Sequence, residues 1–202
     1  MKKLTLVLLA GFSFATAANA QSIQFGVKAG ANFANVSGDG TQGVSTSTLV
    51  GFNGGVFVGL GFTDNLSLQP ELVYSGQGFK ETESGTTGTQ TENYLNIPIL
   101  LKYKLPIGLY FQTGPQVGFL MSAKAKASGY SVDDKASFKS VDFAWAVGAG
   151  FQIPATQLGI DLRYNIGLAN IVDNSGGGGS GSVKNGVFQV GLTYALFNSG
   201  GK

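Results

Sequence analysis

Six charged side chains are the residues of this chain best placed to do chemistry. They lie in otherwise apolar runs, on the face opposite the apolar one: Lys28, Glu71, Lys102, Lys104, Asp161 and Arg163. If that face is enclosed, the charges must pair, because a charge buried without a partner costs roughly several kcal/mol. The pattern therefore predicts an internal ion network, structural or gating in role, in which the two carboxylates bind the cations.

The composition argues against catalysis. The 202 residues include no His and no Cys, so the usual general base, the commonest metal ligand and any thiolate nucleophile are missing. A Ser–Lys pair, or a carboxylate such as Asp142 or Asp161, is the remaining option for an active site. The Gly-rich stretches fit neither a phosphate-binding loop nor a dinucleotide fingerprint, since Ser182 stands where the P-loop lysine belongs. We expect no catalytic residue, no cofactor and no metal.

Alternation with period two runs through nearly the whole chain and predicts β-strands. Eight such runs can be read at 23–34, 51–62, 66–79, 94–105, 109–122, 141–153, 158–171 and 187–197. Most exceed the five or six residues of a globular strand. About eleven residues, tilted by roughly 45°, cross the apolar band of an outer membrane.

The gaps between the runs alternate in length. The first, third, fifth and seventh are long and polar, while the others have only a few residues. This alternation is typical of membrane barrels with short periplasmic turns and longer extracellular loops. The predicted fold is therefore an all-β, eight-stranded, antiparallel up-and-down transmembrane barrel. A secreted β-sandwich or a lipocalin-like barrel is the soluble alternative, and it requires an apolar interior and a polar exterior.

Aromatic residues cluster near the ends of the runs. The expected periplasmic and extracellular girdle consists of Phe33, Phe52, Phe62, Tyr103, Trp145, Phe151, Phe188 and Tyr194, with Phe143 nearby. Rings of this kind suit the two membrane interfaces, since each has an apolar body and a polar or polarisable edge. Other large side chains share the charged face and would help to fill the interior: Phe57, Tyr94, Leu100, Tyr110, Leu120 and Phe197.

Residues 1–20 have the form of a cleaved signal peptide. Lys2 and Lys3 precede an apolar run, and Ala18 and Ala20 flank Asn19 as a cleavage site. The barrel domain is then expected to span 21–202. Loss of the two lysines leaves 11 basic residues against 11 acidic ones. A neutral chain gives no reason to expect nucleic acid as a partner.

Three prolines, Pro70, Pro98 and Pro115, interrupt predicted strands, and we expect β-bulges there because Pro cannot donate to a β-ladder.

The stretches that contain these prolines resemble a known family. "YLNIPILLKYKL" followed by "YFQTGPQVGFLMS" resembles the PorT-like outer-membrane barrel family of Bacteroidetes-type Gram-negative bacteria, a group of small barrels akin to the OmpA and OmpX type. "QPELVYSGQGF", "DFAWAVGAGFQI" and "IDLRYNIGLANI" are similar to its other strands. The resemblance implies an outer-membrane location more than any activity.

Two functions fit this barrel. It is either a closed membrane anchor that presents extracellular loops, especially 123–140 and 172–186, or a narrow porin-like channel for ions or small solutes.

The expected partners are the outer-membrane bilayer, lipopolysaccharide or surface molecules at the loops, and the barrel assembly machinery. That machinery reads a terminal aromatic residue, whereas here "NSGGK" follows Phe197. We expect a monomer, since no polar seam interrupts the apolar face.

Overall fold

The computed structural model describes residues 21–41, 45–83, 86–127, 129–173 and 181–199. The predicted signal peptide lies outside these residues. The described residues form nine strands: β1 (Ser22–Ser37), β2 (Ser45–Gly61), β3 (Leu66–Glu83), β4 (Thr86–Lys104), β5 (Leu109–Ala127), β6 (Tyr130–Asp133), β7 (Val141–Gln152), β8 (Leu158–Gly167) and β9 (Lys184–Asn198). Two 3₁₀ turns of three residues each accompany them. No helix in the described ranges is long and apolar enough to cross a membrane.

Eight of the strands close into an antiparallel ring. The order around the ring is β1, β2, β3, β4, β5, β7, β8, β9, and β9 pairs back onto β1. The short strand β6 lies outside the ring, where it pairs with the last four residues of β5. The eight-stranded up-and-down barrel predicted from the sequence is therefore confirmed. Closure leaves no unpaired strand edge, which is what a sheet in lipid requires.

The two faces of each strand differ as the alternation predicts. In β4, Leu101 points outward and is 45% exposed, while its neighbour Leu100 points into the barrel and is fully buried. Outward positions around the ring are mainly apolar, and the buried inward positions carry most of the amides and charges. The interior is polar and the exterior apolar, which is the reverse of a soluble lipocalin-like barrel.

One end of the barrel carries three tight turns at 62–65, 105–108 and 153–157. The turn after β4 needs glycine, because Gly108 has a φ of +95°, a conformation that side-chain-bearing residues rarely adopt. The first residues of β1 and the last of β9 lie side by side at this end, where Gln24 pairs with Asn198. Both ends of the barrel domain therefore sit on the short-turn side.

The connections at the opposite end contain more strand than the sequence suggests. The Thr-rich stretch after Phe79 reads as a long polar loop, yet β3 continues to Glu83 and β4 begins at Thr86. The pairing of Glu81 with Gly88 shows that these residues extend the ladder. Polar residues can extend the ladder in this way, since β pairing itself needs only backbone groups.

The prolines do not produce the expected bulges. Pro70 pairs with Ile99, Pro98 with Gln116, and Pro115 lies opposite Trp145, and the register is the same on both sides of each proline. A missing N–H removes one ladder hydrogen bond but does not require an inserted residue. The register shifts occur elsewhere, at Phe25/Gly26, Thr48/Asn53 and Asn93/Tyr94.

One of these shifts reverses the predicted orientation of Phe197. Gly26 pairs with Ala195 but Phe25 pairs with Phe197, so Leu196 is an extra residue in β9. Phe197 therefore lies on the outer face with Phe25 and is 56% exposed. The other five large residues expected inside are buried: Phe57, Tyr94, Leu100, Tyr110 and Leu120.

The apolar outer face makes a direct prediction about stability. Leu162 lies outward in the middle of β8 and is 42% exposed, so Leu162→Arg places a charge in the hydrocarbon. We expect a loss of about 2–4 kcal/mol in the free energy of unfolding, measured by reversible urea titration in phospholipid vesicles. The matched control is Val132→Arg in β6, outside the ring and 64% exposed, which should change stability little. Equal losses for both variants would contradict the assignment of the outer face.

Candidate functional site

An ion cluster crosses the barrel interior. Arg163 on β8 donates two hydrogen bonds to Glu71 on β3, at 2.8 Å from Nη1 to Oε2 and 2.9 Å from Nη2 to Oε1. The strands β3 and β8 are four positions apart in the ring of eight, so this pair joins opposite walls. Lys28 on β1 lies 3.3 Å from both Glu71 and Asp161, and Arg163 lies 3.4 Å from Asp161. We call these four residues the lumen cluster.

Neutral side chains complete the bonding of the two carboxylates. The amide of Gln69 donates to Oε1 of Glu71 at 2.8 Å. The Tyr110 hydroxyl donates to Oδ2 of Asp161 at 3.0 Å, and the Gln112 amide donates to the same oxygen. All four side chains of the lumen cluster are at most 4% exposed. Burial of this degree strengthens each pair and makes the loss of a partner costly.

Lys102 and Lys104, the other two residues of the predicted ion network, lie outside the lumen cluster. Lys102 reaches toward the lumen cluster, but its Nζ donates a hydrogen bond to the side-chain Oε1 of Gln69 at 3.3 Å and lies 3.7 Å from the centre of the Tyr110 ring. No carboxylate of the described residues lies within ion-pair distance of it. Lys104 is exposed at the end of β4 and stands apart from the network. Lys104 is the register partner of the inward Tyr110, but it lies at the end of the strand, away from the carboxylates.

Glycine makes room for the large inward side chains. Gly150 is the register partner of Tyr110, and a Cβ at Gly150 would overlap the tyrosine ring and hydroxyl. Without that space Tyr110 could not reach Asp161. The glycines on the charged face therefore have a packing role, as their alternation with charged residues suggests.

A layer of uncharged amides lies further from the short turns. Asn32 is its centre: it donates to Oγ of Ser75 at 2.9 Å and accepts from Asn53 at 2.7 Å and from Gln189 at 2.9 Å. Gln77 donates to the same Ser75 hydroxyl at 3.1 Å. Sequence reasoning did not single out this layer, although every member occupies an inward alternate position. Amides and hydroxyls are also common in polar loops, so residue type alone does not reveal the layer. The available signal was the alternate position of these residues along each strand, which places them on the inner face.

The long-loop end is covered by an apolar cluster. Phe138 and Ile171 come from two different connections and are buried against Val36, Tyr94 and Leu120 at the barrel mouth. The segments that carry them are bridged, since Lys139 N donates to the Ile171 carbonyl at 2.7 Å. We call this the mouth cluster. Phe138 belongs to the predicted loop 123–140, whereas Ile171 ends the strand predicted at 158–171 and lies beyond β8, which ends at Gly167. Both fold inward over the barrel, because apolar residues gain contacts there.

Two acidic residues lie near the mouth cluster, each with a neutral partner. Glu92 accepts a hydrogen bond from the Tyr94 hydroxyl at 3.1 Å, and Asp142 accepts one from the Asn185 amide at 3.0 Å. Asp142, one of the two carboxylates considered for catalysis, thus has a side-chain amide and not a lysine or hydroxyl nucleophile as its side-chain partner. Among the described residues, no group of three or more His, Cys, Asp or Glu side chains is placed to hold a metal.

The predicted girdle residues face outward. Those that are at least 37% exposed are Phe33, Phe52, Tyr103, Trp145, Phe151, Phe188 and Tyr194. Phe62 is half-buried at the first short turn. The rings of Phe33 and Phe188 stand 6.3 Å apart on neighbouring strands, within the range of favourable aromatic pairing.

A closed barrel with an apolar exterior and a charged, bonded interior defines an integral outer-membrane protein of Gram-negative type. The sequence matches the family model described as outer membrane protein beta-barrel domain over residues 19–173, and the chain belongs to that family. Its location is the outer membrane. Comparison with curated protein sequences gives no significant match.

Solved structures support the same fold. Neisserial surface protein A is 13% identical with a TM-score of 0.52, and the alignment covers 85% of this chain and 97% of that one. The attachment invasion locus protein Ail of Yersinia pestis is 20% identical with a TM-score of 0.52, covering 86% of this chain and 98% of its own. At this identity the likeness extends to the barrel fold alone.

The bonding within the lumen cluster predicts how its substitution changes the free energy of unfolding. Arg163→Met leaves Glu71 and Asp161 facing Lys28 only, and we expect a loss of about 3–5 kcal/mol in vesicle-based urea unfolding. The double variant Glu71→Met with Arg163→Met removes one charge of each sign and should recover most of that loss. Lys104→Met is the matched control and should change stability by less than about 0.5 kcal/mol. An Arg163→Met protein as stable as the wild type would show that the cluster contributes nothing.

Proposed function

We propose that this protein is a closed, non-catalytic membrane anchor that presents its long-loop end at the cell surface. The observation that carries the proposal is the bidentate Arg163–Glu71 pair, which joins opposite walls of the barrel. A barrel of eight strands has an interior only wide enough for side chains, so one bonded pair across it obstructs the lumen.

Three successive layers of side chains inside the barrel support the proposal that the barrel is closed. The lumen cluster comes first from the short turns, the amide layer around Asn32 follows, and the mouth cluster with Phe138 lies at the far end. An ion crossing the barrel would have to part an ion pair, displace bonded amides and then pass an apolar constriction. Each step costs free energy, and contacts with water alone do not compensate for that cost in so narrow a space.

The outward-facing part of the long-loop end is the proposed contact surface. Tyr130 and Val132 on β6 are 81% and 64% exposed, beyond the ring of strands. The extension formed by β3 and β4 is rich in Thr and places hydroxyls at the same end. Surface molecules or lipopolysaccharide are the partners such a mixed polar and aromatic surface would meet there. Within the part of the chain that the structure describes, the carboxylates considered for catalysis bind amides, cations or a tyrosine and not a Ser–Lys pair.

The proposal includes how the chain reaches and occupies the membrane. Residues 1–20 act as the export signal, and the barrel assembly machinery recognises the outward aromatic Phe197 close to the end of β9. The exposed rings form girdles at the two interfaces, and the protein is a monomer. Within the family, the chain is proposed to be of the PorT-like kind, on the strength of the "YLNIPILLKYKL" and "YFQTGPQVGFLMS" strands.

The deciding experiment is conductance in planar lipid bilayers. The mature chain is folded in detergent, its fold is verified by a heat-dependent shift in gel migration, and it is then inserted at known density. We expect no stepwise current, because both the lumen cluster and the mouth cluster obstruct the axis. A narrow porin-like channel for ions or small solutes predicts discrete steps instead.

A variant with all three layers weakened serves as the positive control. It combines Ser at Lys28, Asn32, Glu71, Asp161 and Arg163 with Phe138→Ala, and it must show the same gel shift as the wild type. This variant should conduct. If the wild type gives equal current, the closed-anchor proposal is wrong and the channel is the better description.

A further inference from the structure

The short-turn end of the barrel contains a cavity that the anchor role does not use. Its volume is about 780 Å³, within the range of small-molecule sites. Its lining is mixed, with apolar and polar surface, and includes the inward residues Gln24, Ser67, Lys102 and Lys104. Ser67 is the register partner of Lys102, so the hydroxyl and the lysine lie side by side on adjacent strands. We call this space the vestibule.

The charges beneath and around the vestibule do not balance. In the half of the lumen nearest the short turns, three cations (Lys28, Arg163 and Lys102) face two carboxylates, Glu71 and Asp161. Both carboxylates are already bound by Lys28 and Arg163. The surplus positive charge is therefore that of Lys102, which is held by a neutral amide and an aromatic ring.

The rest of the vestibule lining leaves this surplus in place, since one lysine and one aspartate there offset each other. Lys104 contributes a second cation near the opening, and the acidic residue in the lining is Asp64, in the first short turn. Cavities with walls of low dielectric focus the field of such charges and raise the local concentration of counter-ions. Gln24 and Ser67 supply neutral hydrogen-bond donors of the kind that bind phosphate or carboxylate oxygens.

We propose that the vestibule binds a small soluble oxyanion, a phosphate- or carboxylate-bearing solute, from the periplasmic side. Lys102 is the anchoring cation, with Lys104 at the entrance and Ser67 and Gln24 as neutral donors. Residues of all three short turns line the vestibule, which places it at the end of the barrel and favours a soluble anion over a lipid headgroup. The proposal stands independently of whether the barrel is an anchor or a channel.

Inorganic phosphate is the probe. The mature chain is folded in zwitterionic micelles and titrated with phosphate at constant ionic strength, with chloride as the compensating anion, while backbone amide shifts are followed by NMR. We expect saturable shifts at Lys102, Lys104, Ser67 and Gln24. Lys102→Met should weaken the apparent affinity by about tenfold, the effect of losing one charge-assisted hydrogen bond. The matched control, Lys126→Met at the far end of β5, should bind phosphate as the wild type does.

The variant is designed so that misfolding does not obscure the result. Lys102→Met brings the lumen charges to two of each sign, so it should keep the heat-dependent gel shift of the wild type. Shifts that rise linearly without saturation, or unchanged affinity in Lys102→Met, would overturn the site.

The lipid source is tested separately. The same amide shifts are compared in nanodiscs of phosphatidylcholine and of phosphatidylglycerol, without added phosphate. Identical spectra support a soluble anion as the ligand. Shifts at Lys102 and Ser67 induced by phosphatidylglycerol alone would assign the vestibule to lipid headgroups and refute the proposal of a soluble solute.

Discussion

The structure depends on one constraint: charges that leave water must find partners inside the barrel. Lipid surrounds the outer face, so Arg163, Lys28, Glu71 and Asp161 can satisfy one another only across the lumen. Their mutual bonding joins β1, β3 and β8, which are not neighbours in the ring. Backbone hydrogen bonds hold adjacent strands together, while the lumen cluster holds opposite walls together.

The same constraint explains the rest of the interior. Side chains as large as Tyr110 fit because glycines such as Gly150 face them, and the hydroxyl then bonds Asp161. Beyond the lumen cluster the interior becomes uncharged and then apolar at the mouth, where Phe138 and Ile171 are buried. This order runs from charged to neutral to apolar along the axis, and the vestibule at the short-turn end is a space with room for a ligand.

The fold and its outer surface followed from local pattern. Alternation of period two, together with long and short gaps, specified eight strands, their antiparallel order and which face meets lipid. The same parity assigned Lys28, Glu71, Asp161 and Arg163 to one enclosed face. These features depend on nearest neighbours along the chain, because successive side chains of a strand point to opposite faces.

Other features were decided only when the strands met in three dimensions. The alternation could not show that Leu196 is an extra residue, which turns Phe197 outward, or that β3 and β4 pair well beyond the apolar band. Nor could it rank Lys102 and Lys104 by depth, because height along the axis depends on the register of all eight strands. By itself the sequence determined the barrel, its polar inside and the residue types available for pairing. The tertiary structure decided which charges pair, where Phe138 folds in to cover the mouth and where a cation is left without a carboxylate, since these depend on distances across the lumen between residues far apart in the chain.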